Sequence, residues 1–438
     1  MAANTHEGAD DEERWDAAGA GLPPIPTPPR RVFVRGGQGR AMVGMPLPPG
    51  SKYYTLRYLL NALLAEGESI VRFPALSDDT AVLMRAIRAL GASATWERVE
   101  REEDGAPSWQ VRVRGTGGRL RTPPDARVQA GNAGAVLRLL LGIGALLPEL
   151  RFETDHPHSL GRRPNADLLD ALRALGLTVE AGEPGGVLPI TLRGGPPEGG
   201  AVGISGARSS QYLSALLYLA PLLPQGLDIT VRDELRSAPL ARATLRALRT
   251  AGIRYEAAAD LGHIYVPGGQ RYVARAYDVP GDGPTAAALA AAALTLGVPL
   301  RIERLDANED DVRGLLDALD VLGAPFIERL SAANGGVLAL AESARLHGGR
   351  IDGDACIDSV PALVAASCFA EGETRFERVA TLRLKESDRI GDLCAELARA
   401  GCDVEPHPDT IVVHGRPAGI KGGVVVDGHD DHRLVQAL

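Results

Sequence analysis

Lysine is almost missing from this sequence. Of 47 cationic side chains only Lys52, Lys385 and Lys421 are lysines, and the other 44 are arginines. Guanidinium is the default cation, so a lysine here marks a place that needs a compact ammonium with a movable proton. Aromatic residues are also scarce, at 4%, and the formal net charge is -9. That combination lacks the basic surface and stacking platforms on which nucleic-acid binding depends. Cysteines are few, and Cys356, Cys368, Cys394 and Cys402 show neither CxxC spacing nor histidines at ligand intervals. Reduced thiols are expected, with no disulfide, zinc or other metal site. The longest apolar run, around Ala286 to Leu300, is rich in alanine and too short to cross a bilayer. No basic start followed by an apolar stretch marks a secretory signal. A cytoplasmic protein without a membrane partner is expected.

What is present is length and repetition. The 438 residues, 45% of them apolar, suffice for two domains. Residues 1–30 are acidic and then rich in glycine and proline, which reads as a disordered leader. Beyond it an amphipathic helix, a Leu-Gly or Ala-Gly stop and a short strand recur, as in LLDALRALGLTVE and LCAELARAGCDVE. The stop glycines Gly91, Gly176, Gly252, Gly323 and Gly401 are 85, 76, 71 and 78 residues apart. A second series, out of phase with the first, opens apolar helices from polar or glycine-rich turns near Gly50, Gly131, Ser209, Gly281, Asp358 and His432. Six such units imply two similar halves. Helix N-termini carry free N–H groups and partial positive charge, so six of them facing one cleft would attract an anionic ligand. The repeat also predicts a further stop beyond Leu438, and the expectation is that a final C-terminal half-unit of about 40 residues is missing.

PGSKxxxxR at Pro49 to Arg57, GNAG at Gly131 to Gly134, SSQY at Ser209 to Tyr212, LKESDR at Leu384 to Arg389 and DHR at Asp431 to Arg433 stand in register over residues 31–438. Together they resemble the shikimate-phosphate enolpyruvyl transferases. The resemblance implies an α/β, two-domain, pseudo-symmetric fold of six βαβαββ-type units, three per domain. It also implies a discontinuous first domain, 31–47 plus 280–438, and a second domain, 48–279. Substrates would bind between them: shikimate 3-phosphate and phosphoenolpyruvate, with no cofactor and a monomer expected.

Matched position by position, the family implies that Lys52, Gly134, Arg163, Gln211, Arg389 and Arg433 hold phosphoenolpyruvate. Lys52, Tyr53, Arg57, Ser209, Ser210, Gln211, Ser237, Asp358, Thr381 and Lys385 would hold shikimate 3-phosphate. Asp358 would be the base for the 5-hydroxyl, Glu386 the proton shuttle at carbon and Lys52 an aid to both, with Asn132 and His432 in support. The histidines of the His156–His158 loop make no metal site. The bland alternatives are an N-cap for Asp358, a cap pair for Ser209 and Ser210, and a solvated charge run for KESDR.

Five positions depart from the family pattern. Tyr53 replaces a serine, Leu56 an asparagine, Ala135 a threonine, Leu240 an aromatic that packs on the shikimate ring, and Thr381 an asparagine. A lysine-bearing segment that usually contacts phosphoenolpyruvate would fall beyond Leu438. The sister transferase acting on UDP-N-acetylglucosamine is the enzymatic alternative, but it needs a loop cysteine, and all four cysteines here follow residue 355. A non-catalytic paralogue is the other alternative, and the retention of Lys52, Asp358 and Glu386 argues against it.

Overall fold

In the computed structural model, which describes residues 47–101, 107–331, 336–342 and 345–438, the two helix series alternate along the chain. They are α1 (Lys52–Leu64), α2 (Asp78–Ala89), α3 (Gly134–Gly144), α4 (Ala166–Ala174), α5 (Ser210–Leu219), α6 (Ala238–Thr250), α7 (Gly283–Leu296), α8 (Asp310–Val321), α9 (Val360–Ser367), α10 (Gly391–Arg399) and α11 (His432–Ala437). The even-numbered helices carry an apolar stripe and a charged face, and each ends as its sequence dictates. Gly91, Gly176, Gly252, Gly323 and Gly401 all have positive φ. Each donates back into its helix while the following residue bonds one turn further, as in Gly91 N to Arg88 O and Ala92 N to Ile87 O, both 3.1 Å. Glycine has no Cβ to oppose that left-handed turn.

The odd-numbered helices from α1 to α9 are buried along most of their length, and in α1 every residue after Lys52 is buried, whereas the short α11 buries only Arg433 and Leu434. The pairs α3 with α5 and α7 with α9 pack closely. The α3 and α5 backbones approach through Gly142, where a Cβ would stand 2.3 Å from the Ala215 carbonyl oxygen.

Sheets cover these helices in a repeated pattern. Arg127–Gln129 pairs in parallel with Glu149–Glu153 across α3, then Val187–Arg193 and Thr178–Gly182 add antiparallel. The same order recurs in Gly200–Ser205, Leu227–Arg232, His263–Val266 and Glu256–Ala257, and again in Arg350–Asp352, Glu373–Glu377, Thr410–His414 and Asp403–Pro406. The unit around α1 and α2 takes its parallel edge strand, Ala276–Asp278, from the far end of the same half. This is the βαβαββ plan of a two-domain α/β fold. One hydrophobic core runs from Tyr53 to Val279 and another from Ala286 to Leu434. Between them two segments cross: Ser51 N donates to Pro280 O at 2.7 Å and Asp282 N to Pro49 O at 2.9 Å. Gly281 permits the crossing, since a Cβ there would lie 2.6 Å from Pro48 Cγ. The leader and the 31–46 part of the first domain lie outside the described residues. No helix among the described residues is long and apolar enough to cross a membrane.

Two glycine substitutions separate backbone strain from packing. Nothing lies within 4 Å of a Cβ on Gly176, so Gly176→Ala is expected to cost only the left-handed penalty, about 1–2 kcal/mol. Gly142→Ala must push two buried helices apart and is expected to cost more. Urea unfolding of both variants measures the order, and a milder Gly142→Ala would refute the close-approach argument.

Candidate active site

Helix ends from both halves converge on a cleft with about 1030 Å³ of open space. The first residues of α1, α3, α5 and α11 line it, with Asp358 from just before α9. The start of α7 lies alongside, where Pro284 borders a smaller cavity of about 230 Å³ shared with Tyr53, Leu240 and Asp358. On the main cleft Lys52, Arg57, Arg138, Arg163, Arg208, Lys385 and Arg389 outnumber Asp79, Asp358 and Glu386. A surplus of fixed cations in a partly desolvated cleft suits a ligand with several negative charges.

Arg389 is the centre of the electrostatics. It is 2% exposed, yet Nε donates to Asp431 Oδ2 at 2.7 Å, Nη1 to Asp358 Oδ1 at 2.7 Å, and Nη2 to Glu386 Oε2 at 2.6 Å and Asp431 Oδ1 at 3.1 Å. Lys385 Nζ adds a second cation 3.1 Å from Asp358 Oδ1, and the Tyr53 phenol donates to Asp358 Oδ2. Burial opposes ionisation of Asp358, but Lys385, Arg389 and Arg433 outweigh it and hold the carboxyl well below its usual range. Glu386 behaves likewise: burial raises its pKa, while Arg389, Lys52 and Arg163 bring it down further. Burial lowers the proton affinity of Lys52, but Asp79, 3.4 Å away, together with Glu386 and Asp358 keeps its pKa above the ordinary value. His432 is pulled down to about 3 by its surroundings and by the cations Lys52 and Arg433, so its ring is neutral at pH 7 although its edge reaches solvent.

On the other wall, the Ser209 hydroxyl caps α5 by accepting from Gln211 N at 3.3 Å. Ser237, in the left-handed region at φ +54°, donates its N–H to both oxygens of the buried Asp354 at 2.8 and 2.9 Å, a link between the two halves. Arg57 is already committed to the protein: its guanidinium donates to Thr244 Oγ1 at 2.9 Å and to the carbonyls of Tyr53 and Leu240. Arg163 Nε and Thr381 Oγ1 are buried without a hydrogen-bond partner, which leaves polar capacity in the walls.

Nearly all the residues singled out from the sequence line this cleft: Lys52, Tyr53, Arg57, Gly134, Arg163, Ser209, Ser210, Gln211, Ser237, Asp358, Thr381, Lys385, Glu386, Arg389 and His432. Arg433 and Asn132 do not line it. Arg433 lies beneath, bound to Asp282 Oδ2 at 3.2 Å, and Asn132 Oδ1 is buried without a partner. The cap of α9 is Ser359, so Asp358 is not the N-cap. Lys385 to Arg389 is not a solvated helical face but a turn wrapped around the buried guanidinium. Lys421 is exposed.

Sequence reasoning overlooked Arg138 and Asp431. Arg138 donates to Gln211 Oε1 at 2.7 Å and stacks over Tyr212. Its place four residues after Gly134, on the same face of α3, was the available signal. Asp431 caps α11 through Arg433 N at 2.9 Å while answering Arg389. The aspartate opening the DHR helix carried that signal.

The sequence model of EPSP synthase (3-phosphoshikimate 1-carboxyvinyltransferase) matches residues 39–438. The chain belongs to the EPSP synthase family. A 3-phosphoshikimate 1-carboxyvinyltransferase of Deinococcus radiodurans is 44% identical over 393 residues, 89% of this chain and 84% of the relative. One from Burkholderia pseudomallei is 33% identical over 390 residues, 89% of this chain and 83% of the relative. The structure of EPSP synthase from Acinetobacter baumannii superposes with a TM-score of 0.72 at 28% identity, covering 92% of this chain and 89% of that one. As a member of the EPSP synthase family the chain has no place for a loop-cysteine mechanism, since its four cysteines are buried and none lines the main cleft.

Removing the central guanidinium gives a pH-dependent prediction. In the wild type the depressed Asp358 and Glu386 contribute stability above their unfolded values near about pH 4, and that stability is lost as pH falls through the folded values. Arg389→Met leaves the carboxylates uncompensated and is expected to cost about 3–5 kcal/mol at pH 7. The gap from wild type should narrow toward pH 4, as those carboxylates take up protons. Urea unfolding across this range checks it, and a gap that stays constant or widens toward acid would contradict the assignment.

Proposed function

We propose that this protein transfers the enolpyruvyl group of phosphoenolpyruvate to the 5-hydroxyl of shikimate 3-phosphate and releases phosphate, a step of aromatic amino acid biosynthesis. The supporting observation is the meeting of Lys52, Asp358, Glu386 and Arg389 at one cleft between the two halves. The two domains are taken as 280–438, with 31–47 added, and 48–279. The protein works in the cytoplasm as a monomer.

Two substrates bearing two phosphates and two carboxylates need cations on every side. Lys52, Arg163 and Arg389 surround phosphoenolpyruvate, with the Gly134 backbone and Gln211, while Arg433 adds its charge from beneath the cleft. Arg57, Ser209, Ser210, Ser237, Thr381, Lys385 and Tyr53 surround shikimate 3-phosphate. At the start of α5, hydroxyls and free N–H groups can both donate to phosphate oxygens. Arg57 acts chiefly by charge and by holding α1 against α6, given its existing bonds.

The proton steps follow from charge. Asp358 accepts the proton of the 5-hydroxyl. Glu386, aided by Lys52, delivers a proton to the methylene carbon of phosphoenolpyruvate, and the substrate oxygen bonds to the resulting cationic carbon. The tetrahedral intermediate then expels phosphate while its methyl group returns a proton to Glu386, which restores the carbon–carbon double bond of the enolpyruvyl product. The cations of the cleft stabilise Asp358 and Glu386 as anions. Substrate anions entering beside Lys385, Arg389 and Lys52 offset those cations and raise the proton affinity of both carboxylates. Neutral His432 completes the hydrogen bonding.

Mixing shikimate 3-phosphate and phosphoenolpyruvate with the purified protein should release inorganic phosphate without added metal. Absence of release, or a requirement for a divalent ion, would count against this function. Asp358→Asn should lower turnover by at least about 100-fold while ligand binding persists, and a near-normal rate would remove Asp358 from the role. Lys385→Arg should raise KM for shikimate 3-phosphate despite the preserved charge, because a planar fork cannot share the Asp358 oxygen with Arg389 as an ammonium does. Unchanged KM would show that lysine is not required there.

A further inference from the structure

Asp358 is bonded unevenly. Its Oδ1 takes Lys385 Nζ at 3.1 Å and Arg389 Nη1 at 2.7 Å, and its Oδ2 takes only the Tyr53 phenol. A carboxylate offers about four lone-pair sites, two on each oxygen. Oδ1 accepts the Arg389 hydrogen bond and faces the Lys385 ammonium, so the freer acceptor capacity lies on Oδ2. A substrate hydroxyl giving up its proton to Asp358 must approach Oδ2 and share it with the phenol. Tyr53 is buried at the start of α1, in the wall between the main cleft and the smaller cavity, and lines both. Its ring is held by the packed helix, so its hydroxyl has little freedom to turn elsewhere.

We propose that Tyr53 is a positioning residue for the transfer reaction: its phenol fixes the rotation of the Asp358 carboxylate so that the free lone pair of Oδ2 faces the attacking hydroxyl. The inference rests on the function proposed above and assigns Tyr53 to the base rather than to the substrate alone. Around Asp358 stand Lys385 and Arg389 from the turn after residue 384, Arg433 from α11 and Tyr53 from α1. Asp311 of α8 and Asp354 border the same small cavity. Of these the phenol is the one uncharged group bonded to the carboxylate. Its removal leaves the surrounding charges in place while freeing the carboxylate to rotate. A donor lost from a carboxylate also weakens its anionic form, so the proton affinity of Asp358 rises.

The test begins with wild-type turnover of shikimate 3-phosphate and phosphoenolpyruvate, which stands or falls with the function itself. Given that activity, Tyr53→Phe should lower kcat by about tenfold, with KM for shikimate 3-phosphate changed by less than about threefold. The acid limb of its pH profile should move to higher pH by about half a unit to one unit. Tyr53→Ser restores a hydroxyl on an arm too short to reach Oδ2 and should behave like the phenylalanine variant. Three results would overturn the proposal while leaving the function intact. One is an unshifted pH profile in Tyr53→Phe. Another is a loss confined to KM, which would make Tyr53 a substrate contact. The third is full rescue by serine.

Discussion

A buried guanidinium must have its donors answered, and Arg389 is answered by three carboxylates at once. Asp431 takes two of its N–H groups from the cap of α11, Asp358 a third from before α9, and Glu386 a fourth from the same turn. Losing any partner leaves charge uncompensated in a poorly solvated place, so these three chain segments are bound to one another through a single side chain. The same arrangement sets the chemistry. In the proposed reaction the carboxylates that move protons are those that neutralise the cations of the cleft, and their basicity depends on how far substrate anions displace them as partners of those cations.

The fold exists to bring such segments together. Each βαβαββ unit presents the start of a buried helix at one end of its sheet, and packing the units about two cores brings those starts to a shared cleft. Glycine makes this possible at close approaches, as Gly142 does between α3 and α5 and Gly281 does where the two connecting segments cross. Contacts across the cleft, such as Ser237 N–H on Asp354 and Tyr53 on Asp358, hold the two halves together around the site.

The repeat was legible because its punctuation is physical: a left-handed glycine after each amphipathic helix is hard to replace, and five of them stand at similar intervals. The cleft residues were legible because motifs fix them relative to helix starts. What the sequence could not show is pairing between distant segments. It marked Asp358 as a helix cap or a base without revealing that Ser359 takes the cap and Arg389 the carboxylate. It offered Arg57 as a ligand without showing that Thr244 and Leu240 occupy its donors. Arg138 lay hidden among 44 arginines, where residue type alone carries little information. Tyr53 stood in the sequence as a shikimate 3-phosphate residue in place of a serine, and only the fold reveals Asp358 as its partner.

A crystal structure with shikimate 3-phosphate and an unreactive anionic analogue of phosphoenolpyruvate tests the central claim most directly. The account predicts both ligands in the cleft, with the 5-hydroxyl oxygen within about 3 Å of Asp358 Oδ2 and the analogue between Lys52, Arg163 and Arg389. Ligands bound outside the cleft, or a 5-hydroxyl turned away from Asp358, would contradict it.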